Sequence, residues 1–274
     1  MTFIVLTLFP ELCAAVLGES ILGRAADKGA LHTDIRGIRQ YSTDRHRRVD
    51  DYPFGGGGGM LMTPQPLKAA VDAVIRDYGR KPHTIYLSPK GRVFNQSIAK
   101  ELLAYDSLLF LCGHYEGVNQ RALDLLVDEE LSIGDFVLTG GELPALCMID
   151  AVARMVPGVL AGEESYQNES IYSGLLEYPQ YTRPAVFEGM EVPTVLRNGN
   201  HGEIAKWQRE QSLLVTAQRR PDLLRTAPLT QQDIELTHTE DLHFGMQGKN
   251  IRALQYHLAV VGAYYAAIQP VEIT

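Results

Sequence analysis

Ser132-Ile133-Gly134-Asp135-Phe136-Val137-Leu138-Thr139-Gly140-Gly141-Glu142-Leu143-Pro144 is the stretch whose reading decides the fold class. Ile133, Phe136, Val137 and Leu138 are apolar enough for a short buried strand. Gly140 and Gly141 carry no Cβ, so the backbone can turn sharply there and come close to a ligand. Thr139 and Glu142 have the T-x-x-E spacing of a capping box, and Pro144 is tolerated in a first helical turn. The stretch predicts a strand, a glycine turn and a helix start, which is where α/β proteins hold ligands. An ordinary strand-to-helix turn has the same spacing.

Working outward, apolar runs and helical periods alternate. Thr2–Phe9, His83–Ser88 and Ser107–Cys112 read as buried strands, and Leu31–Ile38 as an edge strand. Glu11–Lys28, Pro66–Tyr78, Asn95–Tyr105, Val118–Val127 and Pro144–Met155 have helical spacing, with Gly29 and Pro157-Gly158 as stops. Such alternation implies a mostly parallel sheet. Three predicted strands run into turns, at 88–91, 113–117 and 139–141. In a parallel sheet these lie on one edge, where main-chain groups and apolar walls suit a nucleoside-sized ligand. Ala161–Ser173 is polar and reads as a linker, and Ile204–Gln218 as a helix of a second, small helical domain. The expected division is a 1–160 α/β domain, a 161–173 linker, a 174–236 helical domain and a 237–274 extension. In that extension Ile251–Ala267 reads as a terminal helix.

The chain has 274 residues and a net charge of −8, which argues against general nucleic-acid binding. Basic residues nevertheless cluster at Arg36–Arg48 and Arg197–Arg225, and these read equally as phosphate-binding patches or as solvated faces. Gly55–Gly59 is a run of five glycines. It reads as a floppy loop, or as one that orders around a substrate with its N–H groups exposed. No P-loop lysine follows it, and no G-x-G-x-x-G register fits, which disfavours a dinucleotide-binding dehydrogenase. Cys13, Cys112 and Cys147 are odd in number and far apart, as expected of reduced thiols in the cytoplasm rather than of a disulfide frame or a zinc site. No basic leader precedes Thr2–Phe9 and no run of 18 apolar residues exists, so neither a secretory signal nor a membrane span is expected.

Six motifs in order now carry a resemblance. They are Asp44–Met60 (DRHRRVDDYPFGGGGGM), Tyr86–Arg92 (YLSPKGR), Gly113–Gly117 (GHYEG), Ser132–Pro144, Arg154–Leu160 (RMVPGVL) and Tyr178–Pro184 (YPQYTRP). Together they closely resemble the bacterial tRNA (guanine-N1)-methyltransferases, in register from Thr7 to about Leu224. The resemblance implies an α/β domain of the SPOUT class with a deep trefoil knot, then a linker and a small α-helical domain. It implies a homodimer that holds tRNA across both subunits. It also implies methyl transfer from S-adenosylmethionine to N1 of the guanosine immediately 3′ of the anticodon, after a preceding guanosine. Magnesium is implied as an aid, although no dedicated metal cluster is visible and His238 and His243 alone are weak.

Carried over position by position, the resemblance assigns the cofactor pocket to Tyr86, Leu87, Ser88 and Pro89, to Gly113, Tyr115, Glu116 and Gly117, and to Ile133, Gly134, Asp135, Phe136, Val137, Leu138, Gly140, Gly141 and Pro144. The family often has Tyr at the Phe136 position, so a hydroxyl is missing here. It assigns the general base to Glu169 and the O6 stabiliser to Arg154. The family base is commonly Asp, and the extra methylene of Glu169 moves the carboxylate by about 1 Å, a shift that matters for catalysis. Glu163 and Glu164 are weaker substitutes. Arg45, His46, Asp50, Gly55, Gly56, Gly57 and Gly59 fall where the family contacts tRNA. A knotted ribose methyltransferase would share the pocket without needing Glu169. A non-catalytic RNA-binding protein would need neither the three turns nor Arg154.

Overall fold

The computed structural model describes residues 1–162, 166 and 169–236. The chain divides into two compact units, Met1–Glu163 and Glu164–Thr274. The expected terminal helix at 251–267, with Glu163, Glu164, His238 and His243, lies outside the described residues.

In the first unit the order is β1 (Thr2–Thr7), α1 (Pro10–Leu17), α2 (Ser20–Asp27), β2 (His32–Gly37), β3 (Asp50–Asp51), β4 (Leu61–Met62), α3 (Pro64–Tyr78), β5 (His83–Val93), α4 (Gln96–Leu102), β6 (Ser107–Leu111), α5 (Gln120–Leu126), β7 (Glu129–Ser132) and α6 (Glu142–Ala153). The main sheet is parallel, in the order β2-β1-β6-β5-β7, with β2 at one edge as its polar residues predict. Ile4, Leu6, Leu109 and Leu111 point into a core closed by Leu67 and Val71 of α3 and by Ala122 and Leu126 of α5. Helices α1 and α4 each pack against α6, and α6 also packs on β1. Strands buried on both faces are why Phe3–Leu6 and Leu108–Leu111 read as unbroken apolar runs.

Three expectations are corrected. First, Glu11–Lys28 is two helices, not one. The chain turns at Gly18, and Gly23 packs so closely that a Cβ on it would lie 2.1 Å from the Gly18 carbonyl oxygen. Second, the strand in the opening stretch ends at Ser132, so 133–138 is a loop whose Phe136, Val137 and Leu138 are exposed rather than in a core. Third, the Thr139–Glu142 capping box does not form. The N-cap of α6 is Gly141, without a side-chain cap. The Glu142 carboxylate is only 4% exposed and accepts a hydrogen bond from Thr7 Oγ1 at 2.7 Å.

In the second unit a hairpin of β8 (Val186–Phe187) and β9 (Met190–Glu191) precedes α7 (His201–Arg219) and α8 (Gln231–Leu236). Asn200 caps α7 by accepting from the Gly202 and Glu203 N–H groups. Leu213, Leu214 and Ala217 of α7 close a small core with Leu175, Leu224 and Ala227. The hairpin is exposed and had no alternating apolar signal to announce it.

Candidate functional site: a pocket on one edge of the sheet

Strands β6, β5 and β7 are neighbours and parallel, so the turn within β5 and the loops after β6 and β7 meet on one edge of the sheet. The turn in β5 is an excursion inside one strand. Leu87 and Arg92 both pair with Leu131 of β7, so residues 88–91 loop out of the ladder. After β6, the Gly113 carbonyl accepts the Gly141 N–H at 2.9 Å and ties the second turn to the third. The loop after β7 turns at Gly134, where φ is +147° and the Phe136 ring fills the side a Cβ would take.

The three turns enclose a cavity of about 470 Å³. Of the cofactor residues expected from the sequence, all but Gly134 and Asp135 line it. Those two lie in the loop after β7 outside the lining, and Asp135 is exposed. Glycine is required by contact, not only by conformation. A Cβ on Gly113 would lie 2.8 Å from the Tyr86 hydroxyl. One on Gly140 would lie 2.4 Å from Glu142 Oε2 and 2.8 Å from His114 Nδ1, and one on Gly141 would lie 2.8 Å from the Cys112 Cα. A side chain at any of these positions would distort the wall, as expected of a cradle shaped for backbone contact with a ligand.

Polar groups are few and specific. Burial, with the charge of Glu130 opposite it in the ladder, pushes the Tyr86 phenol up to about 12, so it stays a donor. Tyr115 takes a left-handed backbone at φ +59°, and its hydroxyl accepts from Arg39 at 3.2 Å. His114 packs edge-on against Phe9, and its buried Nδ1 has no hydrogen-bond partner among the described residues. Behind the wall, burial and then the charge of Glu142 push the Cys13 thiol up to about 11. The same two causes raise Cys112. Both thiols are therefore kept as inert core groups.

Sequence reading missed Lys90, His114 and Glu130 as lining residues. Lys90 and His114 lie inside turns it had already marked, whereas no spacing rule marks Glu130 in the middle of β7.

Of the expected tRNA contacts, Asp50 and the glycine run belong to the strand pair fastened beside this pocket. Asp50 in β3 pairs with Met62 in β4, and the glycine run is the loop between those strands. Its base is fastened to the second turn: the Glu116 N–H donates to the Met60 carbonyl at 3.0 Å, and the Met62 N–H to Gly117 at 2.9 Å. Arg45 and His46 are exposed. Other cations of the two basic stretches are committed elsewhere. Arg36 is forked between Asp34 and Asp77, Arg209 is bonded to Asp233, and Arg220 to Asp222. Arg154 is the half-buried C-cap of α6 in the first unit. Glu169 is half-buried in the second unit, where its N–H donates to the Tyr166 carbonyl and Ser170 Oγ accepts from the Glu177 N–H. Among the described residues no three His, Cys, Asp or Glu side chains gather as a metal site, and no helix is long and apolar enough to cross a membrane.

A parallel α/β unit with a glycine-walled pocket on one edge of the sheet is the arrangement in which α/β proteins hold ligands. A family profile described as "tRNA (Guanine-1)-methyltransferase TrmD" matches residues 1–226. Proteins named tRNA (guanine-N(1)-)-methyltransferase are similar to this chain over most of its length. The one from Alkaliphilus oremlandii is 53% identical over 234 residues, covering 84% of this chain and 94% of its own length. That from Clostridioides difficile is 52% identical over 226 residues, covering 82% and 98%. That from Caldanaerobacter subterraneus subsp. tengcongensis is 54% identical over 233 residues, covering 85% and 95%. The chain belongs to the tRNA (guanine-1)-methyltransferase family and is an enzyme of it.

Proposed function

We propose that this protein transfers a methyl group from S-adenosylmethionine to N1 of the guanosine immediately 3′ of the anticodon in tRNA. The observation that carries the reading is the convergence of the turn within β5 and the loops after β6 and β7 on one glycine-walled cavity in a chain of this family. Its volume of about 470 Å³ falls within the range of small-molecule sites. The apolar walls and exposed main chain suit an adenosine, and Glu116, Glu130 and Lys90 suit the charged amino-acid end.

S-adenosylmethionine, when bound, supplies a sulfonium methyl that the N1 lone pair attacks as the carbon–sulfur bond breaks. The rest of the chemistry belongs to the protein. N1 of guanine carries a proton at neutral pH, and Glu169 takes it as general base. Negative charge then grows on O6, and the Arg154 guanidinium stabilises it. Arg45, His46, Asp50 and the glycine loop hold the RNA, from which the target base swings out at low cost in a single-stranded loop. Magnesium as an aid to the reaction belongs to the same proposal, with no three ligating side chains gathered for it among the described residues.

A homodimer is part of the same proposal. Phe9, Leu12 and Val16 of the α1 segment and Leu143 of α6 are exposed apolar residues on packed neighbours, a face that a second copy would cover. So is the trefoil knot. The knot enters by the family resemblance alone. We assign 1–160 to cofactor binding, 161–173 to a linker and 174–236 to tRNA binding, in the cytoplasm, where tRNA and reduced thiols coexist.

Single-turnover methyl transfer by Glu169→Gln tests the base. Its rate falls about 100- to 10,000-fold with unchanged cofactor affinity. Equal rates across pH would remove Glu169 from the mechanism.

A further inference from the structure

We propose that Phe54 is a stacking wedge that takes up the face of a nucleobase beside the flipped guanosine. This rests on the reading that the glycine loop meets the RNA at the pocket. Phe54 is 99% exposed, and Tyr52 is 78% exposed on the same arm. The arm leaves the body at the β3–β4 pairing, and no hydrogen bond among the described residues ties 53–59 back to it. Gly55, Gly56, Gly57 and Gly59 all have positive φ, so the arm takes a path that side chains would resist.

The base of the arm is fixed even though its tip is free. Leu61 lines the cavity, and Gly59 lies so close to Glu116 that a Cβ would be 2.3 Å from Glu116 Cγ. Phe54 is thus carried on a short glycine tether from the rim of the cofactor pocket. The exposed Arg45, Arg47 and Arg48 lead into it along the chain. Two exposed aromatic rings on an arm that follows a run of cations suit flat π-faces on a phosphate backbone. The two rings are too small a patch for a protein interface, which needs a larger set of apolar residues. When a base leaves a stacked loop, its neighbour loses a stacking face. An aromatic wedge restores that face and holds the target out of the stack.

The test uses the full chain with an anticodon stem-loop RNA and S-adenosylmethionine. Phe54→Ala lowers kcat/KM for RNA about 10- to 100-fold while cofactor affinity and sedimentation stay at the parent values. Phe54→Trp restores the rate, and Phe54→Leu does not. A second series removes the base on either side of the target in turn, leaving an abasic nucleotide. At one of the two positions Phe54→Ala causes no further loss, because ring and base form one interaction. Full additivity at both positions, or a Leu variant as active as the parent, overturns the proposal. So does a Phe54→Ala protein that changes oligomeric state, which would make the ring a contact between copies. A parent that transfers nothing to the intact RNA fails the underlying reading instead, and is recognised by that control alone.

Discussion

Replacing Gly141 by alanine isolates the steric logic of the pocket. Gly141 has an ordinary φ of −83°, so alanine suffers no backbone strain there. The cost is contact alone. The new methyl would lie 2.8 Å from the Cys112 Cα, 3.0 Å from the Gly113 nitrogen and 3.3 Å from the Cys112 carbonyl carbon. Carbon atoms pack at about 3.5–4.0 Å, so the end of β6 and the start of α6 must part by about 1 Å. Those atoms are backbone and cannot swing away as a side-chain tip would. Overpacking of this kind costs about 1–3 kcal/mol. The separation opens between the second and third turns, where the Gly141 N–H donates to the Gly113 carbonyl. If the strain falls on the bound state, cofactor affinity drops about 5- to 150-fold. Isothermal titration with S-adenosylmethionine reads the affinity and thermal denaturation reads the stability. Gly58→Ala is the control, because its methyl would meet nothing within 4 Å. A Gly141→Ala protein that matches the parent in both readings refutes the argument that contact at Gly141 shapes the pocket.

Three further outcomes follow, two from buried contacts and one from an exposed thiol. Thr7→Val removes the Oγ1 donor to the buried Glu142 carboxylate, and denaturant unfolding should show a loss of about 1–3 kcal/mol. Thr7→Ser should keep most of that stability. Burial works to raise the pKa of Asp233, but hydrogen bonds from Arg209 and Thr230 together outweigh it and hold it below the usual carboxylate value. Its contribution is therefore full above about pH 4, the unfolded value, and is lost as pH falls through the lower folded value. Asp233→Asn should destabilise the protein by about 2 kcal/mol at pH 7, less than a fully buried pair because Arg209 is partly exposed, and parent and variant should converge in acid. Of the three cysteines only Cys147 is exposed, one helical turn from Leu143 on α6. Maleimide should label Cys147 alone in the folded chain, and more slowly as protein concentration rises if a second copy covers that face.

The sheet was legible because parallel strands buried on both faces leave apolar runs, and Phe3–Leu6 and Leu108–Leu111 are such runs. The pocket was legible because three turn signals each followed a predicted strand. Apolarity alone misled at 133–138, where Phe136, Val137 and Leu138 serve a cavity and a surface instead of a core. A hydrophobic pattern records that a residue avoids water, not which partner it meets. The Thr139–Glu142 spacing misled because the carboxylate is claimed by Thr7, 135 residues away in sequence, and no local rule sees such a partner. The break at Gly18 also escaped, since Gly18 and Gly23 fit helical periodicity and only their close packing separates the helices.

Mapping the transferred methyl tests the central claim most directly. Labelled S-adenosylmethionine is offered with two tRNA transcripts, one carrying guanosine 3′ of the anticodon after a guanosine, the other adenosine at that target. Nuclease digestion and mass spectrometry then locate the label. The account predicts label on the first transcript only, on N1 of that guanosine. Label on both transcripts, or on a ribose oxygen, would contradict it and remove the need for Glu169.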